Sequence, residues 1–106
     1  MNELMISDLY TVNATYPLDS IHLKTINLLY QPLIGNQACS LYLTLYSELD
    51  QLSLTKAASL HQRLSKLTGF SLIEIKEASL KLEAIGLMAK YVKDDEREEY
   101  LYALNI

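Results

Sequence analysis

The sequence predicts a mainly α-helical domain that ends in a small β-hairpin, which is the arrangement of a winged-helix domain. Helical periodicity of apolar residues recurs over most of residues 19–85. A short turn joins the third and fourth predicted helices, and a charged turn then separates two runs rich in tyrosine and aliphatic residues. A helix-turn-helix followed by a hairpin, or wing, is the element order of this fold class.

The first two predicted helices lie in the N-terminal half of the chain. Helix one begins at Asp19 or Ser20, either of which can cap it, and ends near Pro32. Its inward residues are predicted to be Ile26, Leu29 and Tyr30. Helix two runs from about residue 36 to about residue 52 as the central core element. Its buried face is predicted to comprise Ala38, Leu41, Tyr42, Leu45, Leu49 and Leu52.

Helix three is predicted over residues 55–67, with a buried stripe formed by Ala57, Leu60, Leu64 and Leu67. Helix four begins at Ser71, and Glu74 three residues later completes a capping-box pattern. Gly86 ends that helix, because glycine is common just past a helix C-terminus. We expect residues 19–106 to form the winged-helix domain. We expect residues 1–18 to form an N-terminal segment in which DLYTV, residues 8–12, could be a short edge strand packed on the domain or on a partner.

The fourth predicted helix has apolar residues on two opposite sides. At about 100° per residue, its core side comprises Leu72, Ile75, Ala78, Leu82 and Ile85. A helix that reads a DNA groove carries polar and basic side chains on its outer side. Here that side carries Ile73, Leu80 and Ala84, with Glu77 beside them, and we interpret these four residues as a protein interface. The alternative is that Ile73 and Leu80 pack against residues 1–18 of the same chain.

Charge is distributed in a way that disfavours DNA contact at the hairpin. The net charge of −4 argues against indiscriminate binding to nucleic acid. The predicted hairpin turn would repel phosphates, because only Lys93 and Arg97 offset Asp94, Asp95, Glu96, Glu98 and Glu99. On predicted helix three, by contrast, Lys56, Arg63 and Lys66 share a face with Ser59. This stripe could contact phosphate or an acidic partner, and a solvated face is the other interpretation.

Several classes of protein and site lack support in the sequence. No apolar run approaches the roughly 18 residues of a membrane span, and the N-terminus lacks the pattern of a signal peptide. Cys39 is the single cysteine, which fits a cytoplasmic protein. His22 and His61 show no ligand spacing, so we expect no metal site, no cofactor and no enzymatic activity. Because the chain stops right after a strand-like run, we expect a fragment of a longer protein.

Three stretches carry a family resemblance: LYQPLIG at 29–35, SLYLTLYSEL at 40–49 and KLEAIGLMAKYVKDDEREEYLYAL at 81–104. With them the sequence resembles the N-terminal domain of the Gram-positive DnaB/DnaD family, and the likeness is closer to the DnaB members, which are helicase loaders for replication initiation and membrane attachment. The resemblance covers nearly the whole chain beyond residue 18.

The resemblance implies a winged-helix domain that self-associates as a dimer or tetramer. It also implies contacts with other initiation proteins, such as DnaD and the helicase-loading machinery. DNA binding in the family is attributed largely to a C-terminal region, and any membrane association would come through partners or other regions. The predicted function is therefore an oligomerisation and protein-interaction module of a primosomal helicase loader. The alternative is a winged-helix DNA-binding regulator.

Overall fold

A four-stranded sheet with the strand order β2-β1-β4-β3 supports the helices. The computed structural model describes residues 4–94 and 98–105. In chain order, the elements are β1 (Leu9–Ala14), α1 (Ser20–Thr25), a π-helical turn (Ile26–Tyr30), α2 (Gln31–Ile34), α3 (Asn36–Ser47), β2 (Thr55–Leu60), α4 (His61–Thr68), α5 (Leu72–Ala84), β3 (Met88–Asp94) and β4 (Glu98–Leu104).

The sheet joins distant parts of the chain. Strand β1 pairs antiparallel with β2 and parallel with β4, and β3 and β4 form the predicted antiparallel hairpin. The DLYTV strand therefore lies inside the sheet, and its predicted edge position is wrong because β2 occupies its other side. The fold is consequently a mixture of helices and a four-stranded sheet, so the prediction of a mainly α domain with only a small hairpin is corrected.

Residues 55–67 form a strand followed by a helix, which corrects the prediction of one continuous helix. Lys56 lies opposite Val12 and Leu60 lies opposite Leu9 in the β1–β2 pair. Lysine, alanine and leucine favour helices in isolation, but pairing with β1 overrides that weak preference. The helix begins only at His61, and of the predicted buried stripe Leu64 alone is buried. Ala57, Leu60 and Leu67 are exposed because they no longer share one helical face.

Helix α3 supplies much of the core but is shorter than predicted. It ends at Ser47, because the Asp50 carboxylate accepts the backbone N–H groups of Leu52 and Ser53 at 2.9 and 3.1 Å and forms a turn there. The side chain of Leu52 is 97% exposed, so its predicted burial is wrong. The remaining predicted core residues of this helix and the following turn, Ala38, Leu41, Tyr42, Leu45 and Leu49, are buried.

Helix α1 begins at the predicted cap, since the Asp19 side chain accepts the N–H groups of Ile21 and His22. Ile26 is buried and Tyr30 is half-buried, as predicted, but Leu29 is exposed. The π-helical turn over Ile26–Tyr30 explains the difference. A π-turn contains more residues than an α-turn, so it rotates Leu29 away from the face that Ile26 defines.

Candidate protein-interaction surfaces

The start of α5 is fixed by the capping box that the sequence predicts. The Ser71 hydroxyl oxygen accepts the N–H of Glu74 at 3.1 Å, and the Glu74 carboxylate accepts the N–H of Ser71 at 2.9 Å. Two hydrogen bonds lower the pKa of Glu74. The larger contribution comes from the Ser71 backbone N–H, and the next comes from the Gln37 amide at 3.0 Å. Gly86, with a φ of 80°, ends the helix as predicted.

Helix α5 has apolar residues on its buried side and on its outer side. Ile75, Ala78 and Leu82 are buried against the core. On the outer side, Ile73 is 73% exposed and Leu80 is 51% exposed. Ala84 and Glu77 are exposed as well. We call Ile73, Glu77, Leu80 and Ala84 the α5 outer face, and within this monomer it meets solvent.

The N-terminal segment reaches only the margin of the α5 outer face. Leu4, Leu80 and Val92 all line a groove of about 580 Å³ between α5 and the β3–β4 hairpin. In the lining of this groove, the ammonium of Lys90 lies 3.5 Å from a carboxylate oxygen of Glu83 and ties β3 to α5. Described residues of the N-terminal segment therefore leave Ile73 and Leu80 open to a partner.

The basic stripe predicted on one helix is divided between two elements. Lys56 lies on β2, whereas Arg63 and Lys66 lie on α4. Lys56 and Arg63 both approach the buried Glu48 carboxylate, at 3.9 and 2.9 Å. The hydrogen bond to Glu48 raises the pKa of Arg63. The pKa of Tyr10 is raised as well, first by burial and second by the hydrogen bond that the Tyr10 hydroxyl donates to Glu48.

Lys56 has little capacity left for an external anion. Its ammonium donates to the Ala57 carbonyl at 3.0 Å and to the Ser59 hydroxyl at 2.7 Å, and it lies 5.3 Å from the centre of the Tyr10 ring. Two of its three donors are therefore engaged, and the Lys56 side chain is only 12% exposed. Arg63 is half-exposed and Lys66 is exposed. The geometry thus favours an internal network over a continuous phosphate-binding stripe.

The predicted acidic turn lies partly beyond the part of the chain that the structure describes. Asp95, Glu96 and Arg97 are outside the described residues. At the base of the hairpin, Lys93 and Glu99 are paired across β3 and β4, and the Glu98 carboxylate accepts the Tyr100 hydroxyl at 2.8 Å. The described flanks of this turn thus place one lysine opposite one glutamate and give Glu98 a hydroxyl donor.

A polar cluster lies inside the domain where α4 meets the sheet. The Nδ1 of His61 lies 2.8 Å from the Asp8 carbonyl oxygen, which can only accept, so Nδ1 carries the proton. In the neutral imidazole that burial favours, the Tyr102 hydroxyl donates to Nε2, also at 2.8 Å. Burial lowers the pKa of His61 and raises that of Tyr102. This cluster holds a neutral imidazole and serves to lock β4 to the β2–α4 junction.

A second exposed apolar surface was not predicted from the sequence. Ile21, Leu28 and Leu33 are each about 70% exposed, and Leu29 is exposed beside them. We call these four residues the α1–α2 face. Its signal in the sequence is the near absence of charge, because residues 20–47 carry one formal charge, that of Lys24. Periodicity could not reveal the face, since the segment is apolar on several sides and the π-turn shifts the phase.

No helix in the described part of the chain combines the length and apolar character needed to cross a membrane. Residues 4–94 and 98–105 also contain no group of three acidic, histidine or cysteine side chains placed to hold a metal ion.

Comparison with known proteins identifies the family. The family model described as the DnaB N-terminal winged helix domain matches residues 6–106. This chain belongs to that family. It is 33% identical over 98 residues to the replicative helicase loading/DNA remodeling protein DnaB of Staphylococcus aureus (strain NCTC 8325 / PS 47), a match that covers 92% of this chain and 21% of the relative.

A solved structure supports the winged-helix fold. The crystal structure of primosome protein DnaB (residues 1–300) from Geobacillus stearothermophilus matches with a TM-score of 0.88 and 40% identity. This match covers 97% of the present chain and 39% of the crystallised one. The chain thus spans about a fifth of the curated DnaB relative and about two fifths of the crystallised DnaB fragment.

Proposed function

We propose that this chain is an oligomerisation and protein-interaction module of a primosomal helicase-loading protein, acting when DNA replication is initiated or restarted. The family and the DnaB relatives supply the replication context. The observation that carries the interaction role is the α5 outer face, where Ile73 and Leu80 are exposed on the helix that follows the helix-turn-helix turn. In a groove-reading domain, that position carries groups that bond to base edges and phosphates.

Physical chemistry favours a polypeptide as the occupant of this face. Each aliphatic side chain moved from water into a protein contact gains roughly 1.5–3 kcal/mol. A DNA groove offers phosphates, sugars and base edges, which would leave Ile73 and Leu80 without apolar contacts over most of their surface. Glu77, exposed on the same face, would additionally repel the phosphate backbone.

The partners that fit this proposal are a second copy of the chain and other replication-initiation proteins, such as DnaD and the helicase-loading machinery. The proposed contact set on α5 is Ile73, Leu80, Ala84 and Glu77. Glu77 lies at its polar margin, where interfaces are typically solvent-accessible and charged groups tune the rate of association. No catalytic step is assigned to these residues.

A titration of purified DnaD against this chain tests the partner contact. Calorimetry should detect binding to the wild-type chain. Leu80→Asp should weaken binding by at least about 10-fold, because a charge would replace an aliphatic side chain that the partner covers in the complex. Leu52→Asp is the matched control, since Leu52 is equally aliphatic and lies in a turn outside α5. Equal affinity of the Leu80→Asp and wild-type chains would contradict the assignment of the face.

The same preparation tests the alternative of a DNA-binding regulator. Fluorescence anisotropy with a labelled duplex at about 150 mM salt should show negligible binding, because Glu48 already engages Lys56 and Arg63. Tight duplex binding that is lost when Lys56, Arg63 and Lys66 are replaced by alanine would support the regulator and contradict the proposed module.

A further inference from the structure

A groove of about 780 Å³ lies between α3 and α4, and none of its lining residues comes from α5. Its α3 wall carries the hydroxyl side chains of Ser40, Thr44 and Ser47, and its α4 wall carries Arg63 and Leu67. Neighbouring members of each set are one helical turn apart, so each wall is a stripe that runs along its helix. The lining follows α3 from its first residue to its last, a length of about 17 Å. We call this channel the α3–α4 groove.

A buried carboxylate holds Arg63 in position in the α3–α4 groove. The Arg63 Nε donates to Glu48 at 2.9 Å, and the Glu48 side chain is only 7% exposed, whereas the Arg63 side chain is 56% exposed. A guanidinium has five N–H donors in a planar fork, so the bond through Nε leaves terminal N–H groups for a second carboxylate. Because Glu48 already orders the Arg63 side chain in the unbound domain, an anion that binds there costs less conformational entropy.

The α3–α4 groove also offers apolar surface. Leu67 is half-exposed on its α4 wall, and Leu43 is half-buried on its α3 wall. The short side chains of Ser40 and Thr44 leave room beside them for a helix. An amphipathic helix that lies in a groove places apolar residues against it at a spacing of three or four residues. A DNA backbone would leave Leu43 and Leu67 without apolar contacts, so the occupant that fits is a polypeptide.

The distribution of charge argues that the occupant is acidic. Residues 55–68 carry three formal positive charges, those of Lys56, Arg63 and Lys66, and no acidic residue, although the chain has a net charge of −4. Among the residues that line the groove, Glu48 is the acid that offsets Lys56 and Arg63, so one positive charge remains in excess. A positive groove on a negative protein attracts an acidic segment selectively and repels basic ones.

We propose that the α3–α4 groove binds an acidic amphipathic helix of a partner protein. One carboxylate of that helix binds the Arg63 guanidinium, and an aliphatic side chain one turn away packs against Leu43 and Leu67. The inference rests on the proposed function and extends it, because it gives the interaction module a second contact surface, separate from the α5 outer face, and states the chemistry of the segment that this surface binds.

An NMR titration with synthetic peptides tests the assignment. The probe is a peptide of about 20 residues, long enough to form a helix in water, with leucines one turn apart and glutamates beside them. The control peptide has glutamine in place of each glutamate. The acidic peptide should shift the Nε–H resonance of Arg63 and the backbone amides of Ser40 and Thr44. It should bind at least about 10-fold more tightly than the control peptide, because only a carboxylate forms a charge-assisted hydrogen bond with the guanidinium.

Variants of Arg63 test the carboxylate contact. Arg63→Gln should weaken binding of the acidic peptide by at least about 10-fold, and Arg63→Lys should restore part of the loss, since an ammonium keeps the charge but lacks the planar fork. In both variants Glu48 keeps Lys56 and the Tyr10 hydroxyl as partners. Lys24→Gln is the matched control, because it removes one positive charge from an exposed position on α1 and should change the affinity by less than about twofold.

A variant of Leu67 tests the groove without altering the contact between Arg63 and Glu48. Leu67→Asp removes apolar surface and adds a charge that repels the acidic peptide, so it should weaken binding by at least about 10-fold. Leu52→Asp places the same charge on another exposed leucine, outside the groove, and should have little effect. Circular dichroism of each variant should show the wild-type helix content, because the replaced leucines are at least half-exposed.

Several results would overturn the inference. The acidic peptide could fail to bind, bind no more tightly than the control peptide, or bind the Arg63→Gln and Leu67→Asp variants as it binds the wild-type chain. Shifts at the groove that appear on concentrating the chain without peptide would assign it to a second copy. Shifts at the groove with a DNA duplex at about 150 mM salt would assign it to phosphates. The effect of Leu80→Asp on the titration with DnaD reports on the α5 outer face, so the failure of one proposal can be told from the failure of the other.

Discussion

The buried cluster around His61 and the exposed α1–α2 face are opposite exceptions to the usual placement of side chains. The cluster holds polar groups inside the domain, and the face holds apolar groups in water. In the cluster, an imidazole and the Tyr102 hydroxyl are excluded from water, yet both ring nitrogens of His61 have hydrogen-bond partners. On the α1–α2 face, four aliphatic side chains lie in water, and they have no hydrogen-bonding groups.

The difference between these regions indicates what each one is for. A buried polar group is tolerated when every donor and acceptor is satisfied, and it then fixes one arrangement of the elements around it. An exposed aliphatic group adds nothing to the stability of the monomer but can gain free energy when a partner covers it. The cluster therefore serves the fold of the domain, whereas the α1–α2 face is open to solvent in the monomer.

The largest expected effect is at the cluster. His61→Ala should lower the free energy of unfolding by about 3 kcal/mol or more, because it leaves a cavity and removes the partner of the buried Tyr102 hydroxyl. Urea denaturation measures this change. His22→Gln is the control, since His22 lies in the first turn of α1 and is not buried, and it should change stability by less than about 0.5 kcal/mol. Equal losses of stability in the His61→Ala and His22→Gln variants would contradict the structural role assigned to the buried cluster.

A smaller effect is expected from pH. Burial lowers the folded-state pKa of His61 below its ordinary value, so the unfolded chain binds the proton more readily. Stability contributed by the neutral imidazole is complete above the unfolded pKa of about 6.5 and is lost as pH falls toward the folded pKa, with a slope of at most about 1.4 kcal/mol per pH unit. The groups that surround the ring are Asp8, Lys90, Tyr10, Tyr100 and Tyr102.

Thermal denaturation between pH 7.5 and pH 5 measures the effect of pH. The wild-type chain and the His22→Gln variant should both lose stability across this range. The His61→Ala variant, although less stable throughout, should show a shallower dependence. If the stability of the His61→Ala variant falls with pH as steeply as that of the wild-type chain, the loss of stability at low pH arises from groups other than His61.

The smallest expected effect on folding is at the α1–α2 face. Leu28→Ala should change the free energy of unfolding of the dilute monomer by less than about 0.5 kcal/mol, because the Leu28 side chain is mostly exposed and alanine favours helices. Urea denaturation at low and high protein concentration measures it. A loss above 1 kcal/mol at low concentration would show that Leu28 supports the monomer.

Local signals in the sequence predicted the parts of the fold that local interactions decide. The capping box of Ser71 and Glu74, the stop at Gly86 and the hairpin all lie within short stretches, and the structure has each of them. The outward position of Ile73 and Leu80 followed from the same periodicity. Strand β2 was missed, because its stability comes from pairing with β1, more than 40 residues earlier in the chain.

Contacts between elements could not be predicted from one sequence. Lys56 and Arg63 were expected to share a solvent-facing helix, and both instead approach Glu48 from different elements. The α1–α2 face was missed for a related reason. The π-turn determines which aliphatic residues of this nearly uncharged helical segment lie inside. No residue pattern in the sequence predicts that turn.

Cysteine cross-linking at position 80 tests most directly the central claim that the α5 outer face is a contact surface. The native Cys39 is buried, so it can remain in place. The account predicts that the Leu80→Cys variant, treated with a short bismaleimide, yields a covalent dimer in high proportion and that a Leu52→Cys variant yields little. Equal, low yields from both variants at concentrations where the wild-type chain dimerises would contradict it.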